Sequence, residues 1–342
     1  MSEPDLGSLR HHGDADVEPG MLDFAVNVAA PGPPKWLRAR LAARLVSLGT
    51  YPSAADTARA RTAVAARHGR SPDEVLLLAG GAEGFALLPR LGCAHAAVIH
   101  PSFTEPDAVL HDAGTPVHRV ILAPPFAVAD ADVPADADLV VVGNPTNPTS
   151  VLHPAAAILA LRREGRIVVV DEAFADGVVG EAESVAALSL PDVIVLRSLT
   201  KTWSLAGLRC GYALGPPDLL RRMARGRAHW PLGTLQLEAI AACSEPAAVA
   251  AAAERALRVR DDRDALIALL TGAGFPVHTP ASAPFVLVEV PDGELLRKRL
   301  RANGIAVRRG DTFPGLGPDR VRIAVRDQAQ SATLVAAMKE AV

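Results

Sequence analysis

Ser198, Thr200, Lys201 and Arg209 fall within one short stretch, Arg197-Ser-Leu-Thr-Lys-Thr-Trp-Ser-Leu-Ala-Gly-Leu-Arg-Cys-Gly211. A lysine set just after an apolar run, here Val193 to Leu196, can lose its proton and attack a carbonyl. Hydroxyls and a guanidinium are the groups that take a phosphate. Together these residues could hold a phosphorylated aldehyde, the lysine through an imine and the others through the phosphate. A Ser/Thr/Gly-rich surface loop carrying one Lys and one Arg would have the same composition, so the surrounding elements must discriminate.

Those elements alternate. Short apolar, often β-branched runs at Val75-Leu78, Ala97-Ile99, Val117-Ile121, Leu139-Val142, Ile167-Val170 and Val193-Leu196 are separated by helix-like or loop segments. The pattern predicts an α/β fold with a large, mostly parallel sheet covered by helices. Upstream, Pro34 opens a predicted amphipathic helix with Leu37, Leu41, Leu45 and Leu48 inward and Gly49 at its end, and a second helix runs to about His68. Beyond residue 215 helices dominate, one opened by Pro216-Pro217-Asp218 and a long one from Glu245 to Leu270, closed by Gly272 and Gly274. Strand-like Phe285-Val290, helix-like Gly293-Ala302, strand-like Ile305-Arg308 and Val321-Val325 and a closing helix predict a smaller α+β domain. The expected division is a segment 1–34 associated with the small domain, a large domain 35–270 and the small domain 271–342.

In open α/β sheets ligands bind beyond the carboxyl ends of the strands. Five suggestive turns sit there: Ala79-Gly-Gly-Ala-Glu83, Phe103, Gly143-Asn-Pro-Thr-Asn-Pro-Thr-Ser150, Asp171-Glu-Ala-Phe174 and Lys201. Each has a task if the aldehyde is pyridoxal 5'-phosphate. Gly80 and Gly81 would let helix-start amides approach the phosphate. Asp171 would keep the ring nitrogen protonated, making the ring an electron sink. Phe103 could stack on the ring and Asn147 could donate to its 3-oxygen. Taken singly, these residues also suit a helix cap, a core aromatic and ordinary turn chemistry.

The 342 residues are 49% hydrophobic with a formal net charge of -3, enough for a sizeable core and with no basic field for nucleic acid or polybasic arm for a membrane. No apolar run approaches a membrane span, and residues 1–5 lack the charged start of a secretory signal. Cys93, Cys210 and Cys243 form no CxxC pair, which points to a reducing cytoplasm and no structural metal. His11-His12 reads as a polar terminus, and His95, His100, His111 and His118 as surface or rim residues. Arg297-Lys-Arg299 reads as a solvated helix face. Arg308 and Arg309 end a strand shortly before Arg322 and are candidates for an anionic substrate tail.

The combination of Asn144-Pro-Thr-Asn-Pro-Thr149, Asp171-Glu-Ala-Phe174 and Ser198 to Gly211 resembles the fold-type I, class I/II aminotransferase superfamily of pyridoxal-phosphate enzymes. Within it, the chain is similar to histidinol-phosphate aminotransferases and to cobalamin-pathway threonine-phosphate decarboxylases. His12-Gly-Asp, Leu22-Asp-Phe-Ala-Val-Asn27, Pro31-Gly-Pro-Pro34 and Arg-Ser-Leu-Thr-Lys look like the cobalamin group. The resemblance implies Lys201 as the Schiff-base lysine and proton shuttle, Asp171 at the pyridinium, Asn147 at the 3-oxygen and Phe103 on the ring face. It gives the phosphate to Gly81, Ala82, Ser198, Thr200 and Arg209. It further implies that Tyr51 reaches the neighbouring subunit's site in a homodimer, that Arg322 clamps the substrate's carboxylate or phosphate, and that Asn27 lies in a segment closing over the substrate.

Two departures stand out. Phe174 occupies a place where the family often has a tyrosine that also bonds the 3-oxygen, and its loss should shift the internal imine's pKa. Ser150 replaces a common glycine. The expected activity is transamination of a phosphorylated amine or amino acid with a 2-oxo acid, histidinol phosphate leading. Threonine-phosphate decarboxylation and a non-catalytic cofactor-binding role are the alternatives.

Overall fold

A computed structural model describes residues 6–28 and 32–342; Pro31 of the Pro31-Gly-Pro-Pro34 motif lies outside the described residues. In chain order, α1 (Leu6–Leu9), β1 (Leu22–Phe24), α2 (Lys35–Arg44) and α3 (Ala54–His68) lead to β2 (Val75–Leu78), α4 (Gly81–Ala86), β3 (Ala96–His100), α5 (Glu105–Asp112) and β4 (Val117–Ile121). Next come β5 (Leu139–Gly143), α6 (Ala155–Leu159), β6 (Ile167–Asp171), β7 (Val193–Ser198) and β8 (Gly211–Leu214). The remainder is α7 (Pro217–Ala224), α8 (Thr234–Cys243), α9 (Pro246–Gly272), β9 (Phe285–Glu289), α10 (Gly293–Ala302), β10 (Ile305–Arg309), β11 (Arg320–Ala324) and α11 (Gln328–Ala341).

Seven strands form the larger sheet in the order β2-β8-β7-β6-β5-β3-β4, all parallel except β8, which runs antiparallel to both neighbours. The central strands β3, β5 and β7 are buried along their whole length, as expected for β-branched runs covered on both faces. Side-chain alternation divides the core: Val168, Val170, Val193 and Val195 pack on one face, Val169, Ile194 and Leu196 on the other. α3 shows why its sequence starts and stops where it does. Ser53 accepts the Asp56 amide at its start, and Gly69 adopts φ 64° at its end, where a side chain would be strained.

The smaller sheet has the order β1-β10-β11-β9. β1 pairs in parallel with β10, Leu22 opposite Ile305, so the early apolar piece around Leu22 and Phe24 belongs to this sheet although the chain between them is long. Phe24, Val286, Val288, Leu296, Val307, Ile323 and Leu334 share its core.

Three details differ from the sequence reading. β8 was not expected: Gly211-Tyr-Ala-Leu is short and continues the lysine stretch, yet its four residues are all buried between β2 and β7. α8 was likewise unmarked, because nearly all of it is buried and it carries no amphipathic pattern. The helix from Pro34 ends at Arg44, and Leu45 and Leu48 are 53% and 50% exposed instead of inward. They join Val46 and Tyr51 on an exposed apolar patch.

Candidate active site

The carboxyl ends of β3, β5, β6 and β7, the start of α4, the ends of β10 and β11 and the segment before β1 enclose a cavity of about 450 Å³. Of the site residues read from the sequence, Asn27, Gly81, Ala82, Phe103, Asn147, Asp171, Ser198, Thr200, Lys201, Arg209, Arg308 and Arg322 line it, whereas Tyr51, Gly80 and Arg309 do not. Tyr51 is 73% exposed and stacks on Trp230 with ring centroids 4.1 Å apart, outside the cavity of its own chain.

On the large-sheet side, Asp171 ends β6 and accepts the Ala173 amide at 3.1 Å. Burial pushes its carboxyl up to about 6, the Ala173 amide and Lys201 opposing. Lys201 follows β7 by three residues. Burial lowers its ammonium to about 8, with Arg322 and Arg209 adding like-charge repulsion against the pull of Asp171 and Asp14. Its Nζ sits 5.9 Å from the centre of the Phe174 ring. A lysine so placed has a sizeable neutral, nucleophilic fraction near neutral pH.

The phosphate-type donors cluster beside it. The Ser198 and Thr200 hydroxyls are 2.6 Å apart. Gly80 has φ 85°, a backbone conformation that favours glycine, and a Cβ there would lie 3.0 Å from Nη2 of Arg209, which shows how closely the guanidinium approaches the start of α4. Gly81 and Ala82 open that helix. Phe103 packs on Phe85, centroids 5.8 Å apart.

The opposite wall comes from the smaller sheet. Arg308 and Arg322 are register partners on β10 and β11, which puts both on the face toward the cavity and Arg309 on the other. Arg309 instead pairs with Asp311. Arg322, 5% exposed, donates to the Ala25 carbonyl and to Oδ1 of Asn147 at 2.7 Å, leaving the Asn147 amide NH2 available as a donor. Arg308 donates to the His11 carbonyl and to Thr312 Oγ1, both 2.7 Å, and lies 4.8 Å over the Phe313 ring. Burial lowers Arg308 to about 10 and Arg322 to about 9, each also repelled by neighbouring arginines. Nη1 of Arg308, Nε of Arg322 and Oδ1 of the buried Asn27 have no hydrogen-bond partner among the described residues.

The sequence reading missed part of this wall. His11 and His12 are not a loose terminus. His11 Nε2 lies 3.1 Å from Asp16, and His12 packs on Phe103 at 5.6 Å and faces Glu105 at 3.5 Å. These contacts join segments far apart in sequence, and only the His12-Gly-Asp motif pointed toward them. His100 is fully buried against Asp107, not on the surface. Arg297 is tied to Asp16 at 2.8 Å. Among the described residues no group of three or more His, Cys, Asp or Glu is arranged to hold a metal ion, and no helix is long and apolar enough to cross a membrane.

This donor set fits pyridoxal phosphate. A buried carboxylate that burial raises despite the pull of Lys201 suits a protonated ring nitrogen, a depressed lysine suits an aldehyde, and paired hydroxyls, helix-start amides and a guanidinium suit a phosphate dianion. The comparisons agree. The sequence model for aminotransferase class I and II matches residues 19–338. A Mycobacterium tuberculosis protein named histidinol-phosphate aminotransferase is 59% identical over 98% of this chain and 91% of its own. A Salmonella typhimurium protein named threonine-phosphate decarboxylase is 30% identical over 93% and 90%. The crystal structure of histidinol-phosphate aminotransferase from Sinorhizobium meliloti in complex with pyridoxal-5'-phosphate superposes with a TM-score of 0.80 at 22% identity, covering 93% of this chain and 90% of that one. The chain therefore belongs to the class I and II aminotransferases, enzymes that use pyridoxal 5'-phosphate.

Proposed function

We propose that this aminotransferase moves the amino group of histidinol phosphate to 2-oxoglutarate. The observation that carries the proposal is a second set of anion donors, Arg308 and Arg322, on a different element from the cradle at Arg209, buried and with donor atoms to spare. A cofactor phosphate and a substrate phosphate need two such sets. The name of the 59% identical relative supports the same substrate.

Bound pyridoxal phosphate supplies an electron sink for the carbon that carries the amine. The chain's own groups do the rest. Lys201 would hold the cofactor through Nζ and would carry the proton that leaves the substrate's Cα. Asp171 would hold the proton on the ring nitrogen, since a cation beside it would favour the carboxylate against the rise that burial imposes. Gly81, Ala82, Ser198, Thr200 and Arg209 would hold the phosphate, the Asn147 NH2 group would donate to the 3-oxygen, and Phe103 would cover the ring. Arg308 and Arg322 orient the substrate's anionic end, and Asn27 closes over it and excludes water. The domain division proposed is 1–34 and 271–342 for the substrate side and 35–270 for the cofactor side, supported by the pairing of β1 with β10.

A homodimer in a reducing cytoplasm completes the proposal. Exposed Tyr51, Trp230, Leu45, Val46 and Leu48 support a second copy as the partner, with Tyr51 delivered to that copy's phosphate, and the three cysteines are unpaired.

Incubation with histidinol phosphate plus 2-oxoglutarate, and separately with threonine phosphate, tests the reading. Glutamate in the first reaction supports it. Carbon dioxide and aminopropanol phosphate in the second would replace it with decarboxylation, the reading favoured by the His12-Gly-Asp and Arg-Ser-Leu-Thr-Lys motifs and by the 30% identical relative.

A further inference from the structure

The strand ends that carry Asp171 and Ser198 have a second face. Side chains alternate along a strand, so Glu172 and Arg197, the immediate neighbours of these two residues, point away from the cavity. The parallel register sets Asp171 opposite Leu196 and therefore brings Glu172 beside Arg197. Arg197, 1% exposed, donates through Nη1 to Glu172 at 2.9 Å and through Nη2 to Asp176 and to Glu181, the latter at 2.6 Å. Arg67 of α3 shares the last two carboxylates at 2.8 and 2.7 Å. Glu172 also takes the Ser184 hydroxyl at 2.6 Å and the Val185 amide at 2.8 Å. His68 and Tyr212 flank the cluster 2.9 Å apart, with His68 held neutral by burial and by the two guanidiniums.

Stability alone does not account for such a cluster, because well-packed apolar residues are often as stable as a buried ion network. What the network does is geometric. It joins the end of β6, the turn at 175–181, the end of β7 and α3, and two of these elements carry Asp171 and the stretch from Ser198 to Lys201. It also borders a second groove that shares Phe174 and Lys201 with the cavity, since Asp176 lines that groove and keeps Oδ2 without a partner among the described residues. Electrically it sits directly behind Asp171. Burial raises both carboxyls; Glu172 adds to the rise of Asp171, and Arg197 opposes that of Glu172.

We infer that the Glu172–Arg197 pair, braced by Arg67, Asp176 and Glu181, is a positioning device that fixes the spacing and the charge of the two strand ends holding the cofactor's ring nitrogen and its phosphate and lysine attachments. The inference rests on the pyridoxal-phosphate reading of the cavity. Glu172 and Arg197 touch neither cofactor nor substrate and act through Asp171 and Ser198.

The test uses the full-length protein and the variants Glu172→Gln, Arg197→Lys and Arg197→Met. Circular dichroism and the melting temperature of the cofactor-free form report the fold. Cofactor affinity by fluorescence quenching, and the pH midpoint of the bound cofactor's visible absorption, report the positioning. Glu172→Gln leaves excess positive charge behind the ring and should lower the midpoint; Arg197→Met leaves excess negative charge and should raise it. Arg197→Lys keeps the charge but loses the fork, so it should hold the midpoint and weaken cofactor binding about tenfold. Should Arg197→Met fail to fold, Glu172→Gln and Arg197→Lys carry the test. Lower melting temperatures with unchanged affinity and midpoint in the folded variants would overturn the inference. Failure of the unmodified protein to take up cofactor would instead overturn the reading of the cavity.

Discussion

The two walls of the cavity are built in different ways. The wall proposed to hold the cofactor takes Asp171, Ser198, Thr200, Lys201 and Arg209 from the ends of adjacent parallel strands and the turn after them, and their spacing is set by the backbone register of β6 and β7. The wall proposed for the substrate is assembled from β10, β11 and the segment from His11 to Asn27. Its arginines are already engaged: Arg308 with the His11 carbonyl, Arg322 with that of Ala25, and Arg326 with those of Asp23 and Val26. One wall is a fixed rim. On the other, Arg308 and Arg322 both fasten a chain segment and line the cavity, so under the proposed function a bound anion and that segment would share donors.

Lys201→Ala is the harshest break of the fixed wall. It should abolish covalent attachment and the visible absorption that accompanies it and reduce turnover by about ten-thousand-fold or more. Phosphate-dependent cofactor binding should survive, because the cradle at Ser198, Thr200 and Arg209 is untouched. A retained visible band in Lys201→Ala would show that the wall has been assigned wrongly.

Arg322→Met breaks the other wall and probes its link to the first. Losing a buried charge-assisted anion contact costs about 2–5 kcal/mol, so KM for the anionic substrate should rise about thirtyfold or more. Arg309→Met should leave KM within about twofold, since that guanidinium is spent on Asp311. The sign for Lys201 follows from charge. Arg322 helps depress its ammonium to about 8, so attachment of cofactor to the free protein should speed up as pH rises through about 8. In Arg322→Met one cationic neighbour is gone, the ammonium is less depressed, and the rate profile should move to higher pH. Stopped-flow absorbance across pH decides this, and a profile that stays put would mean the walls are electrically independent.

The contrast also governs what the sequence disclosed. The residues of the cofactor wall sit in short contiguous motifs after recognisable β-branched runs, so Asp171 and Lys201 could be placed on one rim from alternation alone. For Arg308 and Arg309 the same alternation states only that one of them faces the ligand. The choice needs the pairing of β10 with β11, which sets Arg308 opposite Arg322 and depends on chain segments separated by a loop. His12 was out of reach for a similar reason, since its contacts with Phe103 and Glu105 join the start of the chain to α5. Leu45 and Leu48 misled because a helical period reports that a face is buried without saying whether its own chain or another covers it.

That last point yields a smaller, sharper test. If Tyr51 serves the neighbouring copy, Tyr51→Ala and Lys201→Ala subunits should complement when mixed. In a hybrid dimer one site combines Lys201 of one chain with Tyr51 of the other. Random reassortment should recover about a quarter of the unmodified activity, whereas tyrosines acting within their own chain would recover none.

Phe174→Tyr should give the smallest effect. Phe174 is buried edge-on against Phe285, centroids 4.9 Å apart, and its ring lies under Lys201 Nζ. A tyrosine fits the same apolar contact and adds one hydroxyl on the cofactor wall. Donating to the cofactor's 3-oxygen, it would draw electron density from the atom that otherwise holds the attachment nitrogen's proton. The pH midpoint of the visible absorption should therefore fall, by about one unit for one added charge-assisted bond. Substrate KM should hardly change, because Arg308 and Arg322 lie on the other wall. A change in KM with a fixed midpoint would mean that Phe174 shapes the substrate's space and not the cofactor's electronics, and the boundary between the two walls would have to be redrawn through the Phe174–Phe285 contact.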